Sequence, residues 1–206
     1  MAAEGWDKIT QDFGGMLEDG RHIFDAASNA LVGGTDPQSI REDLFTTDQR
    51  INRTEQEIRR QIVIHGSVHG AQSFPALLVM MSVAKDAERI GDYAKNIFDL
   101  AALSPPLGDE TVELTELKDE ISRLLVRGRN VHQSEDEEGA RRILADADAV
   151  STRCDEAVTR LVGVSGVNVA AAALAYRYFK RVASHVANLA TALIVPVDKL
   201  DFFDEP

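Results

Sequence analysis

Every proline in this chain stands near the edge of a long segment whose apolar residues recur three and four positions apart. Pro37, Pro75, Pro105, Pro106, Pro196 and Pro206 all do so. A proline inside a helix removes a hydrogen bond and clashes with the preceding turn, at about 3 kcal/mol, so this placement is that of a chain built from helices. No stretch alternates Val, Ile and Thr in the strand manner. The fold class expected is therefore all-α.

Turn and cap residues divide the chain into six helices. The first runs from about Trp6 to Leu31 and stops at Gly33-Gly34, weakened by Gly14, Gly15 and Gly20. Asp36-Pro37 reads as an N-cap with proline at the first helical position, opening a helix to about His65. Ser73 caps a third helix, which reaches Leu103 before Pro105-Pro106. A fourth opens at Asp109 and ends near Gln133. Ser134, followed by four acids from Glu135 to Glu138, reads as the cap of a fifth, its charges set favourably against the helix dipole. That helix ends near Gly163, and a sixth runs from about Gly166 to Val195, where Pro196 ends it.

Three helices, a double-proline linker and three more helices point to an internal repeat. Asp48–Ile62 resembles Asp148–Val162 at an offset of 100, and Glu88–Ile97 resembles Lys180–Leu189 at an offset of 92. The expected architecture is two tandem three-helix bundles, residues 1–104 and 105–206, the second ending in an acidic tail.

Charge narrows the function. With 22 Lys and Arg against 34 Asp and Glu, the net charge is −12, shared as −6 in residues 1–103 and −6 in residues 104–206. A phosphate-backbone binder needs a cationic face, so no nucleic-acid partner is expected. The single cysteine, Cys154, excludes an intramolecular disulfide and a Cys-rich zinc site. No signal peptide is visible, and the apolar runs near Val167–Tyr176 and Leu189–Val197 fall short of the ~20 residues that span a bilayer. A cytoplasmic protein without membrane insertion is expected.

Candidate chemistry gathers in Lys85–Asp99. Glu88 and Asp92 stand four apart on one helix face, with Asp99 three turns on from Glu88 along nearly the same line. Like charges at this spacing repel, and a hard or borderline cation between them removes that cost. The preceding helix carries a matching stripe, Asp48, Asn52 and Glu55. If the two helices pack antiparallel, the stripes face a shared metal site. The same spacing also occurs on solvated faces, where Arg89 and Lys95 pair with neighbouring carboxylates. Gly91 inside this helix costs ~1 kcal/mol against alanine and so calls for a close neighbour.

This segment carries a family resemblance. Asp86-Ala-Glu88-Arg89-Ile90-Gly91-Asp92-Tyr93-Ala94-Lys95-Asn96-Ile97 closely resembles the signature helix of the PhoU family of bacterial phosphate-uptake regulators. Ile40–His65 is similar to the family's second helix and Val195–Glu205 to its tail, so the resemblance covers most of residues 37–205. It implies two tandem three-helix bundles and a negative regulator, not an enzyme, linking a phosphate ABC transporter to a phosphate-sensing histidine kinase. It also implies a divalent or iron-type metal ion (Fe, Zn, Mg or Mn) at Glu88-x-x-x-Asp92, faced by Asp48-x-x-x-Asn52.

The second repeat departs from that pattern. Lys180 replaces Glu88, Ser184 replaces Asp92 and Thr152 matches Asn52, while Asp148 keeps its acid. One metal site is expected, with Lys180 as a built-in cation in place of the second. Asn52 itself stands where the family has an acid.

Other constellations are weaker. His65 and His69 are four apart, but Gly66 and Gly70 place them in a loop. Asp19-x-x-His22 is a lone acid-x-x-His pair, and a di-iron bundle needs two Glu-x-x-His motifs. Nucleotide-binding and nucleophile-elbow glycine motifs are absent, and Cys154 reads as a small buried side chain. Surplus apolar area on the third and sixth helices also fits a homodimer interface. The function expected is a regulatory adaptor of phosphate transport and phosphate-starvation signalling. The alternatives are a metal-binding or storage bundle and an accessory protein of a simple phosphate permease.

Overall fold

The computed structural model describes residues 2–200, with side chains from residue 5 onward. Among the described residues there are six α-helices and no strand: α1 (Ala2–Val32), α2 (Pro37–His69), α3 (Phe74–Leu103), α4 (Glu110–Ser134), α5 (Glu137–Leu161) and α6 (Val169–Thr191). Short 3-10 turns precede α3 and follow α6.

Helix limits follow local chemistry, with four departures from the sequence expectation. The Asp36 carboxylate accepts from the Gln38 amide at 3.0 Å, with Pro37 opening the helix. The α2 helix does not end at His65, because Gly66 lets Phe74 and Leu77 pack where a side chain would stand, 3.0 and 3.2 Å from an ideal Cβ. It continues to His69, and Gly70 at φ 73° closes it. Ser73 does not cap α3: its hydroxyl donates to the Gly70 carbonyl at 2.8 Å. Nor does Ser134 cap α5. Its hydroxyl donates back to Asn130 at 2.9 Å, Glu135 turns through φ 52°, and Asp136 accepts from the Gly139 amide. The α6 helix is shorter than expected, starting at Val169 and yielding to turns after Thr191.

Helices α1, α2 and α3 pack on one another, as do α4, α5 and α6, and the bundles meet where α3 lies against α6 and α1 against α4. One apolar core runs through both. Ile51, Ile58, Ile90 and Phe98 fill the first half and Leu117, Ile143, Tyr176 and Val186 the second. Each such burial is worth about 1.5–3 kcal/mol. Phe24 of α1 and Phe179 of α6 meet edge to face at 5.6 Å across the junction.

The α3–α6 seam is antiparallel. Asp86 meets His185 and Asn188, whereas Tyr93, further along α3, meets Tyr178, further back on α6. At the repeat offset of 92, Asp86 corresponds to Tyr178 and Tyr93 to His185. The contact of Asp86 with His185 is therefore matched by that of Tyr93 with Tyr178, the reciprocal pairing of a pseudo-twofold relation, and the equivalent residues Tyr93 and His185 themselves meet at 5.6 Å. Gly91 sits where α3 presses on its own bundle, with Ile51 and Ile23 methyls 3.3 and 3.6 Å from an ideal Cβ.

Candidate functional site

The α2 and α3 helices run antiparallel, so moving from Asp48 to Glu55 along α2 moves from Lys95 back to Lys85 along α3. This brings together five of the six residues expected to hold a metal, and it brings four cations with them. At one end, Lys95 Nζ lies 3.0 Å from Asp48 and 3.0 Å from Asp92. Asn52 donates to Asp48 at 3.3 Å, and Arg89 donates to Asp92 at 3.2 Å. At the other end, Lys85 Nζ lies 2.6 Å from Glu88 and 4.0 Å from Glu55. Arg59 approaches Glu55 at 2.7 Å.

Burial makes these pairings necessary. The side chains of Asp48, Glu55 and Glu88 are only 10%, 8% and 11% exposed, and a carboxylate so sheltered is tolerated only when its charge is paired. Glu55 Oε1 has Arg59 and Lys85 near it but makes no hydrogen bond. Burial alone would lower the Lys95 ammonium, but its hydrogen bonds to Asp48 and Asp92 outweigh this and hold it above its ordinary value.

Asp99 is exposed and does not take part in the α2–α3 pairings just described. It lines a groove of about 450 Å³ with Phe45, Tyr93 and Asn96 and with three members of that set, Arg89, Asp92 and Lys95. Among the described residues, no three His, Cys, Asp or Glu side chains converge as a metal shell requires. The donor set does not fit a resident divalent ion. Ammonium groups stand between the carboxylates that would have to close on it, and Asn52 supplies no charge.

The second bundle repeats the theme. Lys180, at the position of Glu88, pairs with Asp155, and Arg177 lies 3.8 Å from the same carboxylate. Ser184 turns inward to the Lys180 carbonyl at 2.9 Å. Asp148 and Thr152 are exposed.

The histidines settle elsewhere. His65 and His69 lie on α2 itself, not in a loop, with ring centroids 4.2 Å apart. His22 pairs with Asp43 at 2.6 Å. His185 bonds to Asp86, a buried residue whose role sequence reasoning missed. Lys85 was equally overlooked, although its i,i+3 spacing to Glu88 was a legible signal.

Comparison with known proteins bears on the fold. Residues 14–101 match the family described as PhoU domain. The crystal structure of PhoU from Pseudomonas aeruginosa superposes with a TM-score of 0.82 at 18% identity, covering 94% of this chain and 97% of that one. The phosphate transport system regulatory protein PhoU from Streptococcus pneumoniae gives 0.80 at 16% identity, covering 94% and 95%. No curated protein sequence matches. The chain thus carries a PhoU domain over residues 14–101, in its first bundle, and takes the PhoU fold across both bundles.

Proposed function

We propose that this chain is a cytoplasmic regulatory adaptor of phosphate transport and phosphate-starvation signalling that works by protein–protein contact. The PhoU domain and the match to a phosphate transport system regulatory protein support the reading. Its partners on this reading are a phosphate ABC transporter, a phosphate-sensing histidine kinase, or both.

The observation that carries contact as the mode of action is the number of large apolar side chains left exposed on the segment where α2 turns into α3, Val63 and Ile64 sharing one shallow surface groove. Val63, Ile64, Val68, Phe74 and Leu78 are between 49% and 71% exposed there. Apolar surface gathered in this way marks an interaction site. No helix of the described residues is long and apolar enough to cross a membrane, so a membrane partner is met from its aqueous side.

The test is a chromosomal deletion carrying a phosphate-starvation reporter, complemented with the wild type and with Val63→Ser/Ile64→Ser. Deletion is expected to abolish the response of the reporter to phosphate, and only the wild type restores it. An intact phosphate response in the deletion strain sinks the proposal. Altered phosphate uptake with intact signalling favours the permease-accessory role.

A further inference from the structure

We infer that lysine ammonium groups, and not a metal ion, hold the α2–α3 carboxylates of this chain together. This inference concerns the site alone and does not rest on the regulatory reading.

The balance of charge is the first observation. Four carboxylates, Asp48, Glu55, Glu88 and Asp92, are met within 4.0 Å by Arg59, Lys85, Arg89 and Lys95. The cluster is formally neutral as it stands. A divalent ion entering it would leave it two charges positive and would have to push aside an ammonium that already bridges two helices. Like charges a few ångströms apart in a sheltered site repel by several kcal/mol at an effective dielectric of about 20. Hard cations demand several anionic oxygens aimed at one point, and Asp48, Asp92 and Glu88 each aim at least one of theirs at a lysine.

The internal repeat supplies the second, independent observation. At the offsets of 100 and 92, Glu55 corresponds to Asp155 and Lys85 to Arg177. The two pairs stand at 4.0 and 3.8 Å, between the second and third helices of their respective bundles. The acids at positions 88 and 92 have no acidic counterpart, since Lys180 and Ser184 stand there. What both halves share is the ion pair across the helices, not a ligand set. Lys180 extends the same solution by pairing with Asp155 from the position of Glu88.

The test uses the full-length chain purified without chelator. Elemental analysis is expected to find no stoichiometric transition metal, and the thermal midpoint is expected to stay the same in millimolar Mn2+ as in EDTA. A bound ion would raise it by mass action. Lys95→Met is expected to lower the midpoint by roughly 4 °C or more, or to prevent folding, whereas Lys95→Arg keeps the charge and stays close to wild type. The inference is overturned if the wild type carries metal that Glu88→Gln/Asp92→Asn removes. It is equally overturned if Mn2+ raises the wild-type midpoint and that rise vanishes in the same variant, or if Lys95→Met is as stable as the wild type.

Discussion

His185 of α6 donates its Nδ1 proton to Asp86 of α3 across the seam between the bundles, at 2.8 Å. Asn188, nearly one turn further on, donates to the same oxygen at 3.0 Å. A buried carboxylate thus gets its partners from the other half of the molecule, and those partners get theirs from it.

Replacing Asp86 with alanine removes two charge-assisted hydrogen bonds and leaves a sheltered imidazole and an amide unpaired. The expected loss is about 2–3 kcal/mol, read as a lower urea midpoint with an unchanged slope. A double-mutant cycle with His185→Ala should show coupling of at least ~0.5 kcal/mol. Additive single changes would mean that the pair contributes nothing to holding the bundles together.

His132 offers a pH test. Its Nε2 donates to the Leu189 carbonyl at 2.7 Å, and its ring lies edge-on to Phe13 at 5.1 Å. Burial pushes its protonation below the ordinary value, more than the Leu189 carbonyl raises it. Above about pH 6.5 the ring is neutral folded and unfolded, and it adds no pH dependence. Below that, the unfolded chain takes up a proton that the folded one resists, so stability falls as pH falls. Urea unfolding compared at about pH 7.5 and about pH 5.5 should show this loss, and His132→Gln should shrink it. An equal loss in the variant would assign the effect to other groups.

Cys154 is buried, and burial, reinforced by Asp155, pushes its thiol up to about 12. Since the thiolate is the reacting form, a thiol reagent near neutral pH should modify the folded chain at least ~1000-fold more slowly than the unfolded one. Comparing reaction rates with and without denaturant checks this. Fast labelling of the folded chain would mean that α5 opens far more readily than its packing implies.

The fold was legible where the chemistry is local. Asp36-Pro37 and Pro105-Pro106 mark helix limits because a cap and a missing amide act within one turn of chain. Ser73 and Ser134 misled because a serine hydroxyl serves a carbonyl behind it as readily as an amide ahead, and in both cases it turns back. Gly66 misled for a different reason: a glycine inside a helix is as useful for letting Phe74 approach as for ending the helix.

The site was half legible. The i,i+4 acids on α3 and their counterparts on α2 follow from helical spacing, and so do the i,i+3 partners Lys85 and Lys95. That Lys95 also reaches Asp48 depends on the register between α2 and α3, which no spacing within one helix contains. Asp86 was further out of reach, since its partners lie 99 and 102 residues away. A buried acid and a solvated one look alike in a linear pattern.

Tyr93 faces two ways, and that has a mechanical consequence. It lines the open groove with Arg89 and Asn96, while its ring lies 5.6 Å from His185 and 6.1 Å from Tyr178 of the other bundle. The α3 helix that carries it is an uninterrupted rod of 30 residues, about 45 Å long at helical rise. A molecule seated in the groove therefore leans on the keystone of the whole particle. Because one apolar core runs through both halves and α3 packs directly on α6, that load passes into the second bundle through packed side chains, with no loose joint on the way to absorb it.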